Sequence, residues 1–595
     1  MVLQESETVK CEVSVTPPSS TPVVGCEINL RVWVNKGSPN LKAPPHALIF
    51  SWYREQITCS VHHAELAAVQ CTSCVTLNIP VKESYHCSTR CFLDAWKKHL
   101  ARHHHAAEVI SKNLTGNQKS ARELRSSGSW PSFGNGSLFD EGEMVVEREG
   151  KVWIKVGSMK TYVPTMDDFG FSLRLESVAV DCSHHFHLSP INVIVTDPVI
   201  LPPRPCHRCM IPIGYLNKPW NSNLKDQSSK EAVFSVLSYN ILADLYASRD
   251  KFSYCPTWAL VWEYRRQNLL REIIEYHADI LCLQEVQSDH FESFFKPELA
   301  NCGYSVLYKK KSKELYTPNQ YIIDGCATFY RSDLFKEIKK YELEFDKAAS
   351  SVVEALEPGL RRQGSFRLMK DNVALVVVLE KLHNGSTNDA FQSRICVANT
   401  HIHANPNFPD VKLFQVAYLV NGLETIAQSQ IPLLLCGDLN SLPESDPHIF
   451  IVVGKTYPIR DEATDPMGIY QHLKLQHSLP LVSAYASFFH PFRVEEQLRK
   501  MHHRCTEPVF TNFTQDFCGT LDYIFYSADC LRVEGLLELV DHKSVATGLP
   551  SPLFSSDHIA LMASFRLIPP SDWRPNPPPL PVNPWQTGSK QPLRR

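Results

Sequence analysis

The sequence lacks any apolar run long enough to cross a membrane. Of its 595 residues 43% are hydrophobic, yet no stretch approaches the roughly 18 consecutive apolar residues of a membrane-spanning helix. The first ten residues, MVLQESETVK, are polar and lack the apolar core of a secretory signal. We therefore expect a protein of the nucleus and cytoplasm that has no membrane partner.

An excess of charge of one sign is also missing. The formal net charge is -3 at pH 7, so the bulk charge gives no argument for nucleic-acid binding, and any basic surface has to be local. The length allows two to four domains. The chain has 19 cysteines, and without a secretory signal they indicate a reducing compartment, where clustered cysteines more often bind metal than form disulfides.

Cysteine and histidine are densest between residues 59 and 105. Cys71 and Cys74 precede a second cysteine pair, and His99 and His103 follow it one turn apart on a predicted helix. With Cys59 and either His62 or His63, they form two four-ligand sets that suit tetrahedral Zn²⁺. The order resembles MYND-type and related Cys6His2 zinc fingers, with a histidine in place of the usual second cysteine. The resemblance implies a protein-docking module with structural Zn²⁺ on Cys59, His62, Cys71, Cys74, Cys87, Cys91, His99 and His103.

Shifts in composition and periodicity divide the chain into further segments. Short β-like runs with turn residues between them dominate the front half, and apolar strands alternate with helical segments in the back half. The proline-rich C-terminal tail is expected to be extended and exposed. The predicted segments are a short β-rich stretch (1–55), the zinc finger (56–105), a linker (106–150), a small β-sandwich-like domain (151–201), a second linker (202–230), a mixed α/β domain (231–568) and the tail (569–595).

Polar residues adjoin apolar runs of strand length throughout the α/β domain. The run Leu433–Cys436 leads into Gly437-Asp438-Leu439-Asn440, and the period of two along a strand predicts that Asp438 and Asn440 share one side. The same pattern recurs elsewhere, so we expect one polar basin at a sheet edge. The other polar residues at predicted strand ends are Asn240, Glu285, His401, Asp522, Asp557 and His558.

Several carboxylates in one basin repel one another and resist ionisation unless a cation neutralises them. Oxygen ligands without thiols favour Mg²⁺ over Zn²⁺. A magnesium ion, a carboxylate base and imidazole donors together suit hydrolysis of a phosphodiester. The residues alone therefore predict a metal-dependent phosphodiesterase.

Short sequence words in this domain carry a resemblance to a known superfamily. They are similar in order and content to the motifs of the endonuclease/exonuclease/phosphatase superfamily, which implies a DNase I-like layered α/β sandwich over residues 231–568. Intervening words resemble the carbon catabolite repressor protein 4 class of poly(A) ribonucleases, and the zinc-finger front resembles its plant-type branch. The superfamily words are SYNIL (238–242), LQEV (283–286), NTHIH (399–403), GDLNS (437–441), GTLDYIF (519–525) and SDH (556–558), and the class words are DGCATFYR (324–331), DVKLFQ (410–415) and FTNFTQDFCGTLDYIFYS (510–527).

The resemblance implies roles for the metal-binding and phosphate-binding residues. Glu285 corresponds to the principal Mg²⁺ ligand, and Asn240 lies in the same basin. Asp438 corresponds to the group that activates water or holds a second ion, and Asn440 to the one that orients the phosphate. Leu439 stands where phenylalanine is common and is expected to lie in the core.

It also implies roles for the acid–histidine groups and for base recognition. Asp522 and His558 correspond to the remaining acid and the phosphate-stabilising imidazole, with Asp557 holding His558 in its tautomer. His401 corresponds to a histidine that donates to the phosphate. Pro406 and Phe517 match positions that sandwich an adenine base.

The function implied by the resemblance is Mg²⁺-dependent 3′-to-5′ removal of mRNA poly(A) tails with release of AMP. The implied partners are single-stranded poly(A) RNA, the Not complex and a second deadenylase subunit, which the zinc finger would contact. One alternative is another phosphodiesterase of the superfamily, acting on abasic DNA or on lipid or inositol phosphates. A different alternative is a scaffold protein that acts through its zinc finger.

Overall fold

The computed structural model divides into two compact units, residues 1–202 and 203–595. The described residues contain no helix that is long and apolar enough to span a membrane. The structure describes residues 11–36, 46–56, 59–62, 65, 67–77, 79, 83–114, 145–148, 151–181, 187–213, 233–312, 315–317, 320–382, 394–459, 464–489, 495–545, 547–568 and 579–585.

The first unit is built on a five-stranded antiparallel sheet. Its central strand, His46–Gln56, pairs with Ser172–Asp181 on one side and with Lys151–Gly157 on the other. A two-stranded ribbon packs against this sheet through Val13 and Val15. The ribbon consists of Cys11–Thr16 and Arg31–Lys36, the edge strands of the sheet are Val145–Arg148 and Asn192–Pro198, and Ile28–Asn29 pairs with Thr161–Tyr162.

The predicted division of the front half is therefore wrong in one respect. Residues 1–55 and 151–201 do not form separate pieces, because strands from both ranges join in one sheet. The zinc-finger region is inserted between two of those strands. It contains the strands Val69–Gln70 and Tyr85–His86 and the helices Thr72–Thr76 and Thr89–Leu114.

The predicted linkers also begin or end differently. The helix that carries His99 and His103 continues to Leu114, past the predicted linker start at 106. Residues 145–148 form a strand before the predicted linker end at 150. In the second linker, Met210–Pro212 pairs with Gly535–Leu537 as an edge strand of the α/β unit. Residues 115–144, 149–150 and 214–230 of the two predicted linkers lie outside the described residues.

The second unit contains two large sheets with a hydrophobic core between them, which confirms the predicted layered α/β sandwich. Parallel and antiparallel pairs are mixed within each sheet. In spatial order, the strands of the first sheet are Met210–Pro212, Leu531–Leu537, Leu561–Leu567, Val233–Asn240, Ile280–Gln287, Asp324–Arg331 and Tyr304–Lys310, and those of the second are Phe335–Glu344, Val373–Lys381, Arg394–His401, Leu433–Asp438, Asp522–Ser527 and Leu481–Ser483. The short strand pairs are Leu315–Thr317 with Gln320–Ile322 and Asn512–Phe513 with Cys518–Gly519.

Helices cover the outer faces of the two sheets. Trp262–Glu275 lies on the first sheet and Pro409–Ala427 on the second, in the half of the chain for which the sequence predicts alternating strands and helical segments. The other helices of the described residues are Thr257–Leu260, Ser288–His290, Lys296–Asn301, Phe345–Ala355, Arg361–Leu368, Asp446–Val453 and Glu495–Leu498, with a π-helical turn at Phe291–Phe295 and 3₁₀ turns at Met166–Asp168, Asp244–Tyr246, Ile469–His472, Tyr485–Phe489 and His542–Val545.

The strand Leu433–Asp438 shows why the sequence forms this sandwich. Leu433 and Leu435 face the helix layer, whereas Leu434 and Cys436 face the core between the sheets. Because both faces are covered, the strand is apolar without alternation, which is typical of a central strand. Gly437 is required here, since its φ is 144° and an added Cβ would lie 2.0 Å from the Thr400 carbonyl oxygen.

Part of the proline-rich tail packs on the α/β unit, so the prediction of an extended and exposed tail is wrong for residues 579–585. Trp585 Nε1 donates to the Tyr418 carbonyl oxygen at 3.0 Å. The indole ring lies on Gly422, where an added Cβ would stand 2.0 Å from Nε1. Tyr341 donates its hydroxyl to the Pro581 carbonyl oxygen at 2.8 Å. The glycine on the helix surface makes room for the tryptophan.

We expect Trp585→Ala to lower the free energy of unfolding by about 2 kcal/mol, below the ~3–5 kcal/mol of a fully buried tryptophan because the ring is only partly buried. Gly422→Ala should destabilise as well, although alanine normally favours a helix. Urea unfolding of the variants measures both changes. Val582→Ala is the control, because this side chain is 90% exposed; if Trp585→Ala unfolds with the wild type, the tail contributes no stability.

Candidate functional site

The zinc-finger region brings its eight described candidate ligands into two groups of four. In the first group, Cys59 Sγ lies 3.5 Å from Cys91 Sγ, and His62 Nδ1 lies 3.2 Å from Cys87 Sγ. A tetrahedron with Zn–S and Zn–N bonds of about 2.3 and 2.0 Å has ligand atoms roughly 3.3–3.8 Å apart. The four ligand atoms therefore stand at suitable separations for one Zn²⁺. His63 lies outside the described residues.

The second group is formed by Cys71, Cys74, His99 and His103. Cys74 Sγ lies 3.1 Å from Nε2 of each histidine, and Cys71 Sγ lies 3.6 Å from His103 Nε2. All four side chains are buried. Buried thiols and imidazoles that converge on one point without disulfides are typical of a structural zinc site.

We expect the wild-type protein to carry two zinc ions per chain and Cys74→Ser to carry one, because this thiol contacts both histidines of the second group. Metal analysis of protein dialysed against metal-free buffer measures the content. Cys209→Ser is the matched control, since Cys209 is exposed and outside both groups. Equal zinc in Cys74→Ser and wild type would show that this group holds no zinc.

In the α/β unit, Asn240 and Glu285 meet at the carboxyl ends of two parallel strands. Asn240 is the last residue of its strand and donates from Nδ2 to Glu285 Oε1 at 3.2 Å. Glu285, by contrast, does not end its strand as predicted, because the strand continues to Gln287. Glu285 lies in a bulge where the pairing shifts, and its φ is 56°. A bulge of this kind redirects one side chain while the strand stays in the sheet.

Asp438 joins the same group from the second sheet. It accepts a hydrogen bond from Asn240 Nδ2 at 3.1 Å, so one amide lies between the Glu285 and Asp438 carboxylates. Asn440 does not extend the strand as the period of two predicts: its φ is 46°, and its backbone N–H donates to Asp438 Oδ1 at 2.8 Å. A tight turn, rather than an extended backbone, brings Asn440 to the site. Leu439 is buried in the core, as predicted.

The carboxylate that holds His558 is Asp522 and not the predicted Asp557. His558 Nδ1 lies 2.7 Å from Asp522 Oδ2, whereas Asp557 Oδ1 is 4.0 Å from Nε2. Nε2 faces the basin, 3.7 Å from Asp438 Oδ2. Burial lowers the pKa of His558, but the charges of Asp522 and Asp438 outweigh it and raise the pKa to about 10. His558 is therefore a cationic donor.

His401 is placed as a neutral imidazole. It ends its strand beside Asp438, with Nε2 3.5 Å from Asp438 Oδ2 and 3.0 Å from Asn440 Nδ2. Burial, followed by the charge of Lys311, lowers the pKa of His401 well below its usual value. Its buried Nδ1 has no hydrogen-bond partner among the described residues. Two histidines of different charge thus flank Asp438.

Two lysines contribute to the site although the sequence motifs predict no role for them. Lys412 donates from Nζ to the Asn440 carbonyl oxygen at 2.5 Å and so holds the turn. Lys311 lies 2.7 Å from Asp324 Oδ2, and Asp324 Oδ1 accepts from the Tyr246 hydroxyl at 2.9 Å. Lys412 lies in the sequence word DVKLFQ and Asp324 in DGCATFYR. Both words resemble the family, but the resemblance gives neither residue a role.

Several of these groups line one cleft of about 740 Å³. Pro406 and Phe517 both line it, together with Glu285, Asp438 and His558. Phe517 lies in the turn of the hairpin formed by Asn512–Phe513 and Cys518–Gly519, where the Thr514 N–H donates to the Phe517 carbonyl oxygen at 2.7 Å. The geometry thus combines acids, imidazoles and apolar rings in a space that fits a small ligand.

Comparison with known proteins identifies the family. The model of the "Endonuclease/Exonuclease/phosphatase family" matches residues 237–558, more than half of the 595 residues. "Carbon catabolite repressor protein 4 homolog 1" of Arabidopsis thaliana is 45% identical over 592 residues, covering 94% of this chain and 98% of that protein. The chain belongs to the carbon catabolite repressor protein 4 family. Homolog 2 of the same plant is 44% identical over 594 residues, with the same coverage.

A fungal relative matches over a shorter region. The "CCR4-Not complex 3'-5'-exoribonuclease subunit Ccr4" of Saccharomyces cerevisiae is 35% identical over 353 residues. That match covers 56% of this chain and 39% of the fungal protein.

The donor set of the cleft fits a hard divalent cation. Burial and the nearby Asp557 charge raise the pKa of Glu285, and burial and Asp522 raise that of Asp438 to about 7, with His558 opposing. Asp522 Oδ1 is buried without a hydrogen-bond partner in the part of the chain that the structure describes. A cation near these oxygens would relieve the repulsion that raises the pKa values.

We expect Asp522→Asn to lower the pKa of His558 far below about 10, because the variant removes the carboxylate at 2.7 Å. Since the folded-state pKa is raised, the pair stabilises the fold fully below the unfolded pKa of about 6.5. That stability is lost as the pH rises through about 10. NMR titration of labelled histidines in magnesium-free buffer measures the shift. Asp557→Asn is the control; a larger fall in that variant would show that Asp557 holds His558.

Proposed function

We propose that this chain is a Mg²⁺-dependent 3′-to-5′ exoribonuclease that shortens mRNA poly(A) tails and releases AMP. The observation that carries the proposal is the convergence of Asn240, Glu285 and Asp438 beside the Asp522–His558 pair in one cleft. Relatives of the same family are named 3'-5'-exoribonuclease subunits of the CCR4-Not complex. This function uses the acids, amides and imidazoles of that group, whereas a scaffold needs none of them.

Glu285 and Asp438 would hold Mg²⁺ through their carboxylate oxygens, while Asn240 donates from Nδ2 to both carboxylates and keeps them in place. Asn240 is thus not the oxygen ligand that the sequence predicts, because its Oδ1 accepts from the Leu242 N–H at 3.1 Å. The bound ion neutralises phosphate charge and lowers the pKa of coordinated water. Asn240 is positioned by Ser556, whose hydroxyl donates to the Asn240 carbonyl oxygen at 2.6 Å. The Ala243 N–H donates to Glu285 Oε2 at 2.9 Å and fixes that carboxylate.

Asp438 is the base in this scheme. Its Oδ2 lies 3.7 Å from His558 Nε2, so a carboxylate that can take a proton stands next to a donor that faces the cleft. Water gives a proton to Asp438 and its oxygen bonds to phosphorus. The bond from phosphorus to the upstream 3′-oxygen breaks, and that oxygen takes up a proton, leaving AMP and a tail shorter by one nucleotide.

His558 and Asn440 stabilise the phosphate as its negative charge grows. The cationic His558 presents Nε2 to the cleft while Asp522 fixes Nδ1, so the ring is oriented before substrate arrives. Asn440 offers its amide from a turn that Lys412 holds. The neutral His401 supports this amide at 3.0 Å.

Adenine is held between Pro406 and Phe517 in this proposal. Both rings line the cleft near the reacting groups, and stacking on apolar rings is the usual way in which proteins hold unpaired bases. A base that is already unpaired enters without the cost of unstacking a duplex. Single-stranded poly(A) RNA is thus the preferred substrate.

The zinc-finger region is proposed as the docking module for a second deadenylase and the Not complex. Its ligands occupy two buried clusters, which leaves the outer face of the helix Thr89–Leu114 for contacts. Leu93 is 55% exposed on that helix. We place the protein in the nucleus and cytoplasm, where mRNA is made and degraded.

The test is a time course on 5′-labelled RNA with a 3′ oligo(A) tail, in Mg²⁺ or EDTA. We expect a ladder that shortens from the 3′ end and stops near the first non-A residues. Glu285→Ala should lose at least about 10²-fold in rate, as expected when charge stabilisation in an active site is removed. Cys209→Ser is a control variant outside the cleft.

An abasic DNA duplex runs in parallel as the competing substrate. If the DNA is cleaved and the RNA stays intact, the protein is a metal-dependent phosphodiesterase but RNA is not its substrate. An intact tail under every condition, with folded and Mg²⁺-supplied protein, would contradict the proposed function and favour the scaffold alternative.

A further inference from the structure

The catalytic cleft has a wall that the proposed mechanism does not use. The segment Tyr457–Ile459 lines the same cleft as Asp438 and Phe517. The Tyr457 side chain is 84% exposed and that of Ile459 is 72% exposed. Leu442, also exposed, lines the cleft as well. Exposed apolar surface that continues an active site is typical of a ligand-binding surface.

This segment projects from a fixed base. The Gly454 carbonyl oxygen accepts from the His477 N–H at 2.8 Å, and the Gly454 N–H donates to the Phe450 carbonyl oxygen at 3.0 Å. Thr456 Oγ1 donates to Asp446 Oδ1 at 2.6 Å. The backbone just before Tyr457 is therefore held by hydrogen bonds, which lowers the entropy lost when a ligand binds to the ring.

The chemistry of the exposed rings indicates what this wall binds. Asp446 and Lys455 are the charged neighbours, with Asp446 Oδ1 2.6 Å from Thr456 Oγ1 and Lys455 Nζ 6.0 Å from the Tyr457 ring centroid, so charges of both signs adjoin the wall and neither selects a ligand. A flat and uncharged group suits the exposed tyrosine ring and the neighbouring proline ring. A nucleic-acid base is such a group, and stacking on an aromatic side chain is worth about 1–3 kcal/mol per base.

The space also exceeds what one terminal base requires. The cleft volume of about 740 Å³ is in the upper part of the range of roughly 300–1,000 Å³ for small-molecule sites. Pro406 and Phe517 account for one base in the proposed function. Tyr457 and Ile459 line the cleft in addition to these rings.

We propose that Tyr457, Pro458 and Ile459 form a second base-binding subsite, which stacks on a nucleotide 5′ of the one being removed. This inference rests on the proposed exoribonuclease function and extends it. The subsite aligns the strand so that the terminal phosphodiester reaches Asp438. Its contribution is to substrate affinity, through a base rather than a phosphate.

The test combines a protein variant with a series of substrates, each of which lacks the base at one position. The substrates are oligoadenylates of eight nucleotides, either intact or with an abasic sugar at one successive position upstream of the cleaved bond. At one position the abasic sugar should raise the KM of the wild type about 5- to 160-fold, which corresponds to the ~1–3 kcal/mol of a stacked base. Tyr457→Ala should raise the KM for the intact octamer equally, and the same abasic sugar should add nothing further.

Tyr457→Trp should restore the wild-type KM and its dependence on that position. Because no phosphate contact is removed, the slope of log KM against log salt should be the same in Tyr457→Ala and wild type. Phe366→Ala is the matched control, since Phe366 is 81% exposed and does not line the cleft.

Failure of the subsite and failure of the exoribonuclease function give different results in this test. An active wild type with additive effects of Tyr457→Ala and every abasic sugar would overturn the subsite and leave the exoribonuclease function intact. A changed salt slope in Tyr457→Ala would also overturn base stacking at this wall. A wild type that leaves the intact octamer uncut would overturn the proposed function and the subsite together.

Discussion

Compensation of buried negative charge is the constraint on which the cleft depends. Asp438 and Asp522 are buried where two paired strands meet, and their register places them directly opposite each other. Burial and mutual repulsion raise the pKa of Asp438, so the pair needs positive partners in order to ionise. His558 supplies one such charge from within the chain. The divalent cation that the donor set fits supplies the rest.

The same constraint explains the unusual backbone near the site. Glu285 and Asn440 both have positive φ, at 56° and 46°. Such conformations cost free energy outside glycine and persist where the surrounding structure enforces them. At Glu285 the bulge turns the carboxylate to Asn240 Nδ2, and at Asn440 the turn directs the backbone N–H to Asp438 Oδ1, while the neighbouring apolar residues stay in the core. The strained backbone at these two positions thus holds the polar groups of the basin in place before substrate binds.

Much of the α/β sandwich and the group of polar residues could be predicted from the sequence, because apolar strands and the polar residues beside them are local signals. Partners in space are not local. The strand His46–Gln56 pairs with strands about 100 residues later, which no local pattern specifies. Asp522 rather than Asp557 holds His558 for the same reason, since sequence neighbours need not be hydrogen-bond partners. The contact of Trp585 with Gly422 also depends on tertiary packing.

The most direct test of the account is to identify the product formed in water enriched in oxygen-18. The protein is incubated with Mg²⁺ and an RNA that ends in oligo(A), and the products are analysed by mass spectrometry. Attack of water on phosphorus predicts 5′-AMP with one oxygen-18 atom in its phosphate, together with RNA shortened from the 3′ end. Unlabelled AMP, internal fragments with cyclic phosphate ends, or an unchanged RNA would contradict the account.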